Sequence, residues 1–147
     1  MTAPARTVLL LRHAHAEWPG YTGRDFDRPL TANGESDAAA AARAIRAAGH
    51  RPTLILASPA RRTRQTAETL ATTLGLSGTS IMYVEALYNA SEDALEEALH
   101  NHGAQAAHVV LVAHNPGISA LARRLCGNKA LPALQPGDWL CASLPAD

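Results

Sequence analysis

This sequence has few cysteines and no net charge. Its two cysteines, Cys126 and Cys141, are too few for a disulfide framework. We expect both to be small buried hydrophobic residues in a protein of a reducing compartment. The 13 basic and 13 acidic residues cancel, so no overall positive field would draw the chain to nucleic acid or to an anionic membrane. Any attraction for an anion must therefore be local.

Long hydrophobic runs are lacking as well. The apolar run at residues 8–11 ends abruptly at Arg12 and is too short for a signal-peptide core or a membrane span. The sequence therefore predicts a cytoplasmic protein without a targeting segment. Its 147 residues suit one domain over residues 1–147, which can bury about two-thirds of the unfolded surface without disulfides or a metal.

Short apolar segments alternate with segments of helical periodicity along the chain. Strands are predicted at residues 7–11, 53–57, 81–84 and 108–113, with a last edge strand at 139–144. Helices are predicted at residues 32–48 after Thr31 as N-cap, at 60–74 after Ser58 as N-cap, at 92–103 after Ser91 as N-cap, and at 118–125. This alternation is typical of a three-layer α/β/α fold with a mainly parallel central sheet.

One long segment breaks the alternation. Residues 16–30 contain four glycine or proline positions and half of the six aromatic residues of the chain, which favours an irregular loop. Those aromatics, Trp18, Tyr21 and Phe26, either cover the core or line the mouth of a substrate site.

Polar side chains follow four of the predicted strands, at the point where each strand ends. In open α/β sheets, ligands bind beyond the carboxyl ends of the parallel strands. These positions hold Arg12 and His13, then Ser58, Arg61 and Arg62, then Glu85, and finally His114 and Asn115. Arginines, histidines and helix N-termini that converge on one crevice predict an anion pocket, and phosphate is its natural occupant. An imidazole at the centre indicates a nucleophile that accepts a phosphoryl group.

The segments that carry these residues resemble the motifs of a known family. Residues 11–14, Leu-Arg-His-Ala, are similar to an Arg-His signature with a nucleophilic histidine. Residues 58–67, Ser-Pro-Ala-Arg-Arg-Thr-Arg-Gln-Thr-Ala, resemble a second phosphate-binding segment, and residues 112–117, Val-Ala-His-Asn-Pro-Gly, resemble the segment of a second histidine. The family is the histidine phosphatase superfamily, which has a phosphoglycerate mutase-like fold, and the resemblance covers most of the chain.

The resemblance implies roles for individual residues. His13 would be the nucleophile, with Arg12, Arg62 and His114 as phosphate ligands. Arg62 is implied rather than Arg61, because the family's arginine stands three residues before the Gln-Thr pair. Glu85 lies where many members have their proton donor, which makes it the third catalytic candidate beside His13 and His114.

Two further positions near the predicted pocket are left open. Arg28 either contacts phosphate or substrate, or forms a salt bridge with Asp25 or Asp27. His15 stands where related sequences commonly have lysine, so the resemblance implies no role for it.

Within the superfamily, the chain resembles the small bacterial phosphohistidine phosphatases. Residues 25–31, Asp-Phe-Asp-Arg-Pro-Leu-Thr, are similar to the loop that follows their nucleophile, and residues 88–95 leave little room for an insertion over the site. The expected activity is that of a metal-independent phosphatase without a cofactor. It would hydrolyse a phosphomonoester or a protein phosphohistidine through a phosphohistidine on the enzyme. Its partner would be a phosphorylated protein or a small phosphorylated metabolite, not nucleic acid or a membrane.

Two other functions fit parts of the same pattern. His13 and His15 at a strand end could supply two ligands to zinc in a metal-dependent hydrolase, because residues i and i+2 of a continuing strand point to the same face. Arg12 beside them, and the arginines at another strand end, argue against a bound cation. A catalytically silent module that binds phosphate or a phosphoprotein would keep the pocket and lack turnover.

Overall fold

The computed structural model describes residues 6–17, 23–103 and 106–145. The strands are β1 Arg6–Arg12, β2 Leu54–Ala57, β3 Ile81–Tyr83, β4 His108–Ala113 and β5 Trp139–Leu144. The helices are α1 Ala32–Ala47, α2 Arg61–Leu74, α3 Glu92–His102 and α4 Gly117–Cys126. Short 3-10 turns lie at Asp25–Asp27, Gly78–Ser80 and Glu85–Leu87.

The five strands form one sheet in the order β3-β2-β4-β1-β5. Strands β3, β2, β4 and β1 run parallel to one another, and β5 pairs antiparallel with β1 at the edge. Alternate β1 residues point to opposite faces, so Leu9 and Leu11 pack with α1 and α2, whereas Val8 and Leu10 pack with α3 and α4. The predicted three-layer α/β/α fold with a mainly parallel sheet is therefore confirmed.

Two of the three predicted N-caps are confirmed. The Thr31 hydroxyl accepts from the Gly34 N–H at 2.9 Å, and the Ser91 hydroxyl accepts from the Ala94 N–H at 3.3 Å. The prediction for Ser58 is wrong, because α2 begins at Arg61 with Ala60 as its N-cap. The Ser58 hydroxyl instead contacts a histidine that follows another strand.

The prediction that the two cysteines are buried is wrong. Cys126 and Cys141 are free and exposed. Cys126 is the last residue of α4, and Cys141 lies on β5, where the inward-facing residues are Ala142 and Leu144. Burial predicted from residue type fails here because an edge strand exposes alternate positions.

The described part of the predicted loop contains a 3-10 turn, and an isolated antiparallel bridge between Ala16 and Leu30 closes the loop. Phe26 is half-buried and packs edge-to-face on Tyr88, with ring centroids 5.2 Å apart. The other two aromatics of the loop, Trp18 and Tyr21, lie outside the described residues. None of the helices in the described parts of the chain is long and apolar enough to cross a membrane.

Candidate active site

The strand register brings two histidines to the same edge of the sheet. Arg12 on β1 lies opposite Ala113 on β4, so the residues that follow them, His13 and His114, emerge side by side. The His13 N–H donates to the Ala113 carbonyl at 3.2 Å, and the two imidazole centroids are 5.4 Å apart. This pairing follows from the fold, since parallel neighbours end at the same level.

An open pocket of about 460 Å³ lies at this edge of the sheet. It is lined by five of the six predicted site residues, Arg12, His13, Arg28, Arg62 and His114. The lining also includes His15, Ala16, Asp25, Asn89, Asn115 and Pro136. Most of these side chains are cationic or can donate hydrogen bonds, which suits an anionic ligand.

His13 is held as a neutral imidazole with one free ring nitrogen. Its side chain is 7% exposed, and Nδ1 lies 2.8 Å from the Ala14 carbonyl, which can only accept. Nδ1 therefore carries the proton and Nε2 keeps its lone pair. Burial, followed by the charges of Arg62 and Arg12, lowers the pKa of His13 to about 4, although the hydrogen bond to Ala14 acts in the opposite direction. The ring is thus unprotonated at neutral pH.

His114 is neutral for similar reasons. It is 3% exposed, and burial, followed by the charge of Arg62, lowers its pKa to about 3. Its Nε2 lies 2.8 Å from Ser58 Oγ, which already accepts from the Ala60 N–H. The Ser58 hydroxyl can therefore donate to Nε2, and the ring proton then resides on Nδ1, which is buried and has no partner in the protein. Such an Nδ1–H is suited to a phosphate oxygen.

Both histidines are expected to remain neutral well below the pH at which a solvated imidazole titrates, about 6.5. Histidine-resolved NMR titration of the free protein measures this directly. The signals of His13 and His114 should keep their neutral shifts at pH 5, with His13 half-protonated near pH 4. Half-protonation of His13 near pH 6.5 would contradict the burial-based account.

The same shifts make folding stability depend on pH. Between about pH 6.5 and pH 4, the unfolded chain binds protons at these two positions that the folded protein does not bind. The free energy of unfolding should therefore fall as the pH is lowered through this interval. Above pH 6.5 the free energy of unfolding no longer changes with the titration of these two histidines, because they are neutral in the folded and in the unfolded chain.

Two guanidinium groups of the pocket have N–H groups without a hydrogen-bond partner in the protein. Arg12 donates from Nη1 to the Leu134 carbonyl at 2.9 Å, and Arg62, 3% exposed, donates from Nη1 and Nη2 to Asp25. The Nε atoms of both arginines are buried and have no hydrogen-bond partner. An oxyanion would satisfy these N–H groups, which otherwise carry a desolvation cost. Arg61, by contrast, is exposed.

Asp25 is a pocket residue whose place the sequence reasoning missed. It receives hydrogen bonds from Arg62, from Arg28 and from the Tyr88 hydroxyl. Arg28 therefore forms the salt bridge that was one of its two alternatives, at 3.0 Å, while its Nη1 donates to the Glu17 carbonyl at 2.9 Å. The sequence signal for Asp25 was its place at the start of residues 25–31, the segment that resembles the loop after the nucleophile.

Glu85 is the predicted site residue that the structure does not bring to the pocket. It is exposed, begins the 3-10 turn after β3, and is not among the lining residues. The reason is topological, because β3 is the edge strand of the sheet and lies two positions away from β4. Further along that turn, Tyr88 contacts the His114 ring and Asn89 reaches the pocket.

The geometry of the two neighbouring histidines bears on the zinc alternative. Nδ1 of His13 is hydrogen-bonded to the Ala14 carbonyl. His15 is exposed, and its Nδ1 lies 3.1 Å from Thr31 Oγ1. The charges of Arg62 and Arg12 act on His13 and would oppose a divalent cation there. In the described part of the chain, no group of three or more histidine, cysteine or carboxylate side chains could hold a metal ion.

Comparison with known proteins relates the whole chain to one family. The model of the histidine phosphatase superfamily, branch 1, matches residues 8–88. A structure of SixA from Agrobacterium tumefaciens, assigned provisionally as a phosphohistidine phosphatase, is 32% identical with a TM-score of 0.81, covering 92% of this chain and 90% of that one. A SixA structure from Nakamurella multipartitia, with the same provisional assignment, is 30% identical with a TM-score of 0.74, covering 99% and 89%.

A curated sequence is similar over a shorter stretch. An uncharacterized chloroplastic protein of Arabidopsis thaliana is 46% identical over 69 residues, which are 47% of this chain. That stretch covers 32% of the length of the Arabidopsis protein, so this chain corresponds to about a third of it.

Proposed function

The chain belongs to the histidine phosphatase superfamily, and from that membership we propose that it is a phosphatase acting on protein-borne phosphohistidine through a phosphohistidine formed on His13. The observation that carries the proposal is the state of the His13 ring. It is neutral, its proton is fixed on Nδ1, and it lies in a pocket lined by three arginines. A phosphoryl acceptor needs such a lone pair, and the phosphoryl group needs such cations.

In the first step, the lone pair of His13 Nε2 forms a bond to phosphorus. The bond from phosphorus to the leaving atom breaks, and its electron pair stays on that atom. Arg12, Arg62 and His114 donate to the non-bridging oxygens through groups that lack protein partners, namely two Nε–H and one Nδ1–H. These donors are fixed before the reaction, so they stabilise the charge of the transition state without reorganising.

In the second step, water attacks the phosphorus atom of the enzyme phosphohistidine. The P–N bond breaks, its electron pair returns to Nε2, and the proton released by water passes to the departing phosphate or to solvent. The hydrogen bond from Nδ1 to the Ala14 carbonyl stays in place through both steps. His13 thus regains the tautomer with which it began.

The acid groups of the pocket favour a substrate with a good leaving group. Burial alone would raise the pKa of Asp25, but the Tyr88 hydrogen bond and the Arg62 and Arg28 charges outweigh it and lower the pKa to about 2. Asp25 is therefore ionised at neutral pH, and Glu85 lies off the pocket. An alkoxide leaving group needs a proton. An imidazole leaving group needs less help, since transfer from one imidazole to another replaces one P–N bond by its equivalent.

The short connection after β3 also supports a substrate carried on a protein. The helix that follows β3, α3, begins at Glu92, so only eight residues separate the two elements and no insertion covers the pocket there. The SixA proteins that the chain resembles are assigned provisionally as phosphohistidine phosphatases. Both observations favour a phosphorylated protein over a small metabolite as the substrate.

A substrate panel tests the proposal. With equal concentrations of purified protein, we expect kcat/KM for a phosphohistidine-bearing protein to exceed that for a sugar phosphate, a nucleotide or a phosphoserine peptide by about 100-fold or more. That factor is the lower range of what general-acid assistance to the leaving group supplies. The same assays run with and without a chelator separate the alternatives.

Three outcomes would count against the proposal. Faster hydrolysis of the sugar phosphate or the phosphoserine peptide would overturn the substrate. Loss of activity in chelator, restored by zinc, would favour the metal-dependent hydrolase. Tight phosphate binding with no turnover on any member of the panel would indicate the silent binding module.

A further inference from the structure

Asp25 pairs with two of the arginines that line the pocket. Its Oδ1 accepts from Nε of Arg28 at 3.0 Å, and Nη2 of the same guanidinium lies 3.0 Å from this oxygen in an ion pair. Its Oδ2 accepts from Arg62 Nη2 at 3.1 Å and from the Tyr88 hydroxyl. Its backbone carbonyl accepts from Arg62 Nη1 at 2.8 Å. One residue thus binds both arginines and the tyrosine that packs on His114.

These contacts use one part of the Arg62 guanidinium and leave another part free. Asp25 accepts one hydrogen bond from each of Nη1 and Nη2, the two terminal nitrogens of the guanidinium. The Nε–H, on the side of the fork, has no partner. Because a guanidinium is planar and rigid, holding Nη1 and Nη2 in place also fixes the direction in which the Nε–H points.

The negative charge of Asp25 also stabilises the cluster of cations. Arg12, Arg28 and Arg62 line the same pocket and repel one another. Arg62 is 3% exposed, so solvent screens its charge poorly. Ionised Asp25 offsets this repulsion and pairs directly with two of the three guanidinium groups.

We propose that Asp25 is a positioning residue, which binds the Nη1 and Nη2 end of Arg62 and so directs the Nε–H side of that guanidinium at a phosphate oxygen. The inference rests on the proposed function, in which Arg62 is a phosphate ligand. Asp25 itself takes no part in bond making or breaking. Its effect on the reaction passes through Arg62, with Arg28 and Tyr88 holding the carboxylate in place.

Removal of the carboxylate has two opposite consequences, and the experiment is designed to separate them. If Asp25 acted only through its charge, Asp25→Asn would tighten the binding of an anion, because a repulsive charge is lost. If Asp25 positions Arg62, the same variant loses the aligned donor, and misplacement of a catalytic group by about 1 Å can cost about 100-fold. Orthovanadate is a suitable probe because it adopts the five-coordinate geometry of phosphoryl transfer.

We expect Asp25→Asn to weaken orthovanadate binding by about 10-fold to 100-fold. Asp27→Asn is the matched control, since it removes a carboxylate from the same 3-10 turn, one that pairs with the exposed Arg24 at 2.8 Å. That control should change the affinity by no more than about 2-fold. Unchanged or tighter binding in Asp25→Asn would overturn the positioning role.

A double-mutant cycle shows whether the effect passes through Arg62. In an Arg62→Ala background, Asp25→Asn should cause no further loss of orthovanadate affinity, because the group that Asp25 positions is already absent. Losses that add in the double variant would overturn the proposal. Should Asp25→Asn fail to fold, Tyr88→Phe removes one hydrogen bond to the carboxylate and should weaken binding in the same direction by a smaller factor.

Failure of this inference and failure of the proposed function give different results. Orthovanadate binding is measured without turnover, so it tests Asp25 whether or not the protein hydrolyses phosphohistidine. A wild-type protein that hydrolyses phosphohistidine and an Asp25→Asn variant that binds orthovanadate equally well would leave the function standing and remove the role of Asp25.

Discussion

Replacement of His13 by alanine is expected to lower kcat/KM by at least about 10⁴-fold, for an aryl phosphate and for protein phosphohistidine alike. The variant loses the Nε2 lone pair, and no side chain on the described pocket wall offers another neutral nitrogen held in the same way. His114 is also neutral, but its Nε2 is engaged with Ser58. The loss should therefore appear in every substrate, since the first step is common to all of them.

The neighbouring histidine provides the control for this variant. His15→Ala removes an exposed imidazole that lines the same pocket and lies two positions away. The nucleophile account predicts that His15→Ala keeps most of the activity, whereas a zinc site formed by both histidines would lose activity in either variant. Thermal unfolding of both variants should stay near that of the wild type, and retained turnover in His13→Ala would remove the nucleophile assignment.

The second-largest effect is expected from Arg62. Arg62→Ala should lower kcat by about 10²-fold to 10³-fold, the usual cost of removing one preorganised donor from a transition-state oxyanion. Arg62→Lys should recover only part of this loss, because an ammonium group cannot bind Asp25 as the two ends of the guanidinium do and also present an N–H to phosphate. Steady-state kinetics with an aryl phosphate measures both variants.

Arg61 supplies the matched control for Arg62. The two arginines are adjacent at the start of α2, but Arg61 is exposed while Arg62 is 3% exposed. Arg61→Ala should change kcat/KM by no more than about 2-fold. Equal losses in the two variants would show that general positive charge, and not the aligned fork of Arg62, supports the reaction.

The fate of these two arginines shows what periodicity can and cannot predict. The helical spacing of the apolar residues in α2 predicts a stripe that packs on the sheet, and residues on it such as Ala67 and Leu70 are buried. It placed both arginines off that stripe and could not separate them. Arg62 is buried at the wall of the pocket, where Asp25 binds it, and not in the hydrophobic core. Only the family motif distinguished it from Arg61.

The positions of Ser58 and Glu85 have a common physical origin. Sequence reasoning treats a serine before a helix as a cap and a polar strand end as part of the site, because both are local signals. Ser58 binds His114, 56 residues away, and Glu85 follows the strand at the sheet edge. Long-range pairing and strand order decide both outcomes, and neither is encoded in a local pattern.

Asp25 illustrates the same limit from the other direction. It lies in a segment without helical or strand periodicity, yet its contacts reach Arg62, 37 residues away, and Tyr88, 63 residues away. Composition alone gives no reason to place a carboxylate inside an anion pocket. Its role becomes visible only when Arg62, which it binds, is seen to keep an Nε–H without a partner.

Trapping of the phosphorylated protein tests the central claim most directly. Wild-type protein mixed with an aryl phosphate in the presence of a chelator and quenched in alkali should carry one phosphoryl group, stable in base and labile in acid, that peptide mass spectrometry maps to His13. The His13→Ala variant treated in the same way should carry none. Turnover without a phosphoenzyme, or a phosphoryl group on a residue other than His13, would contradict the account.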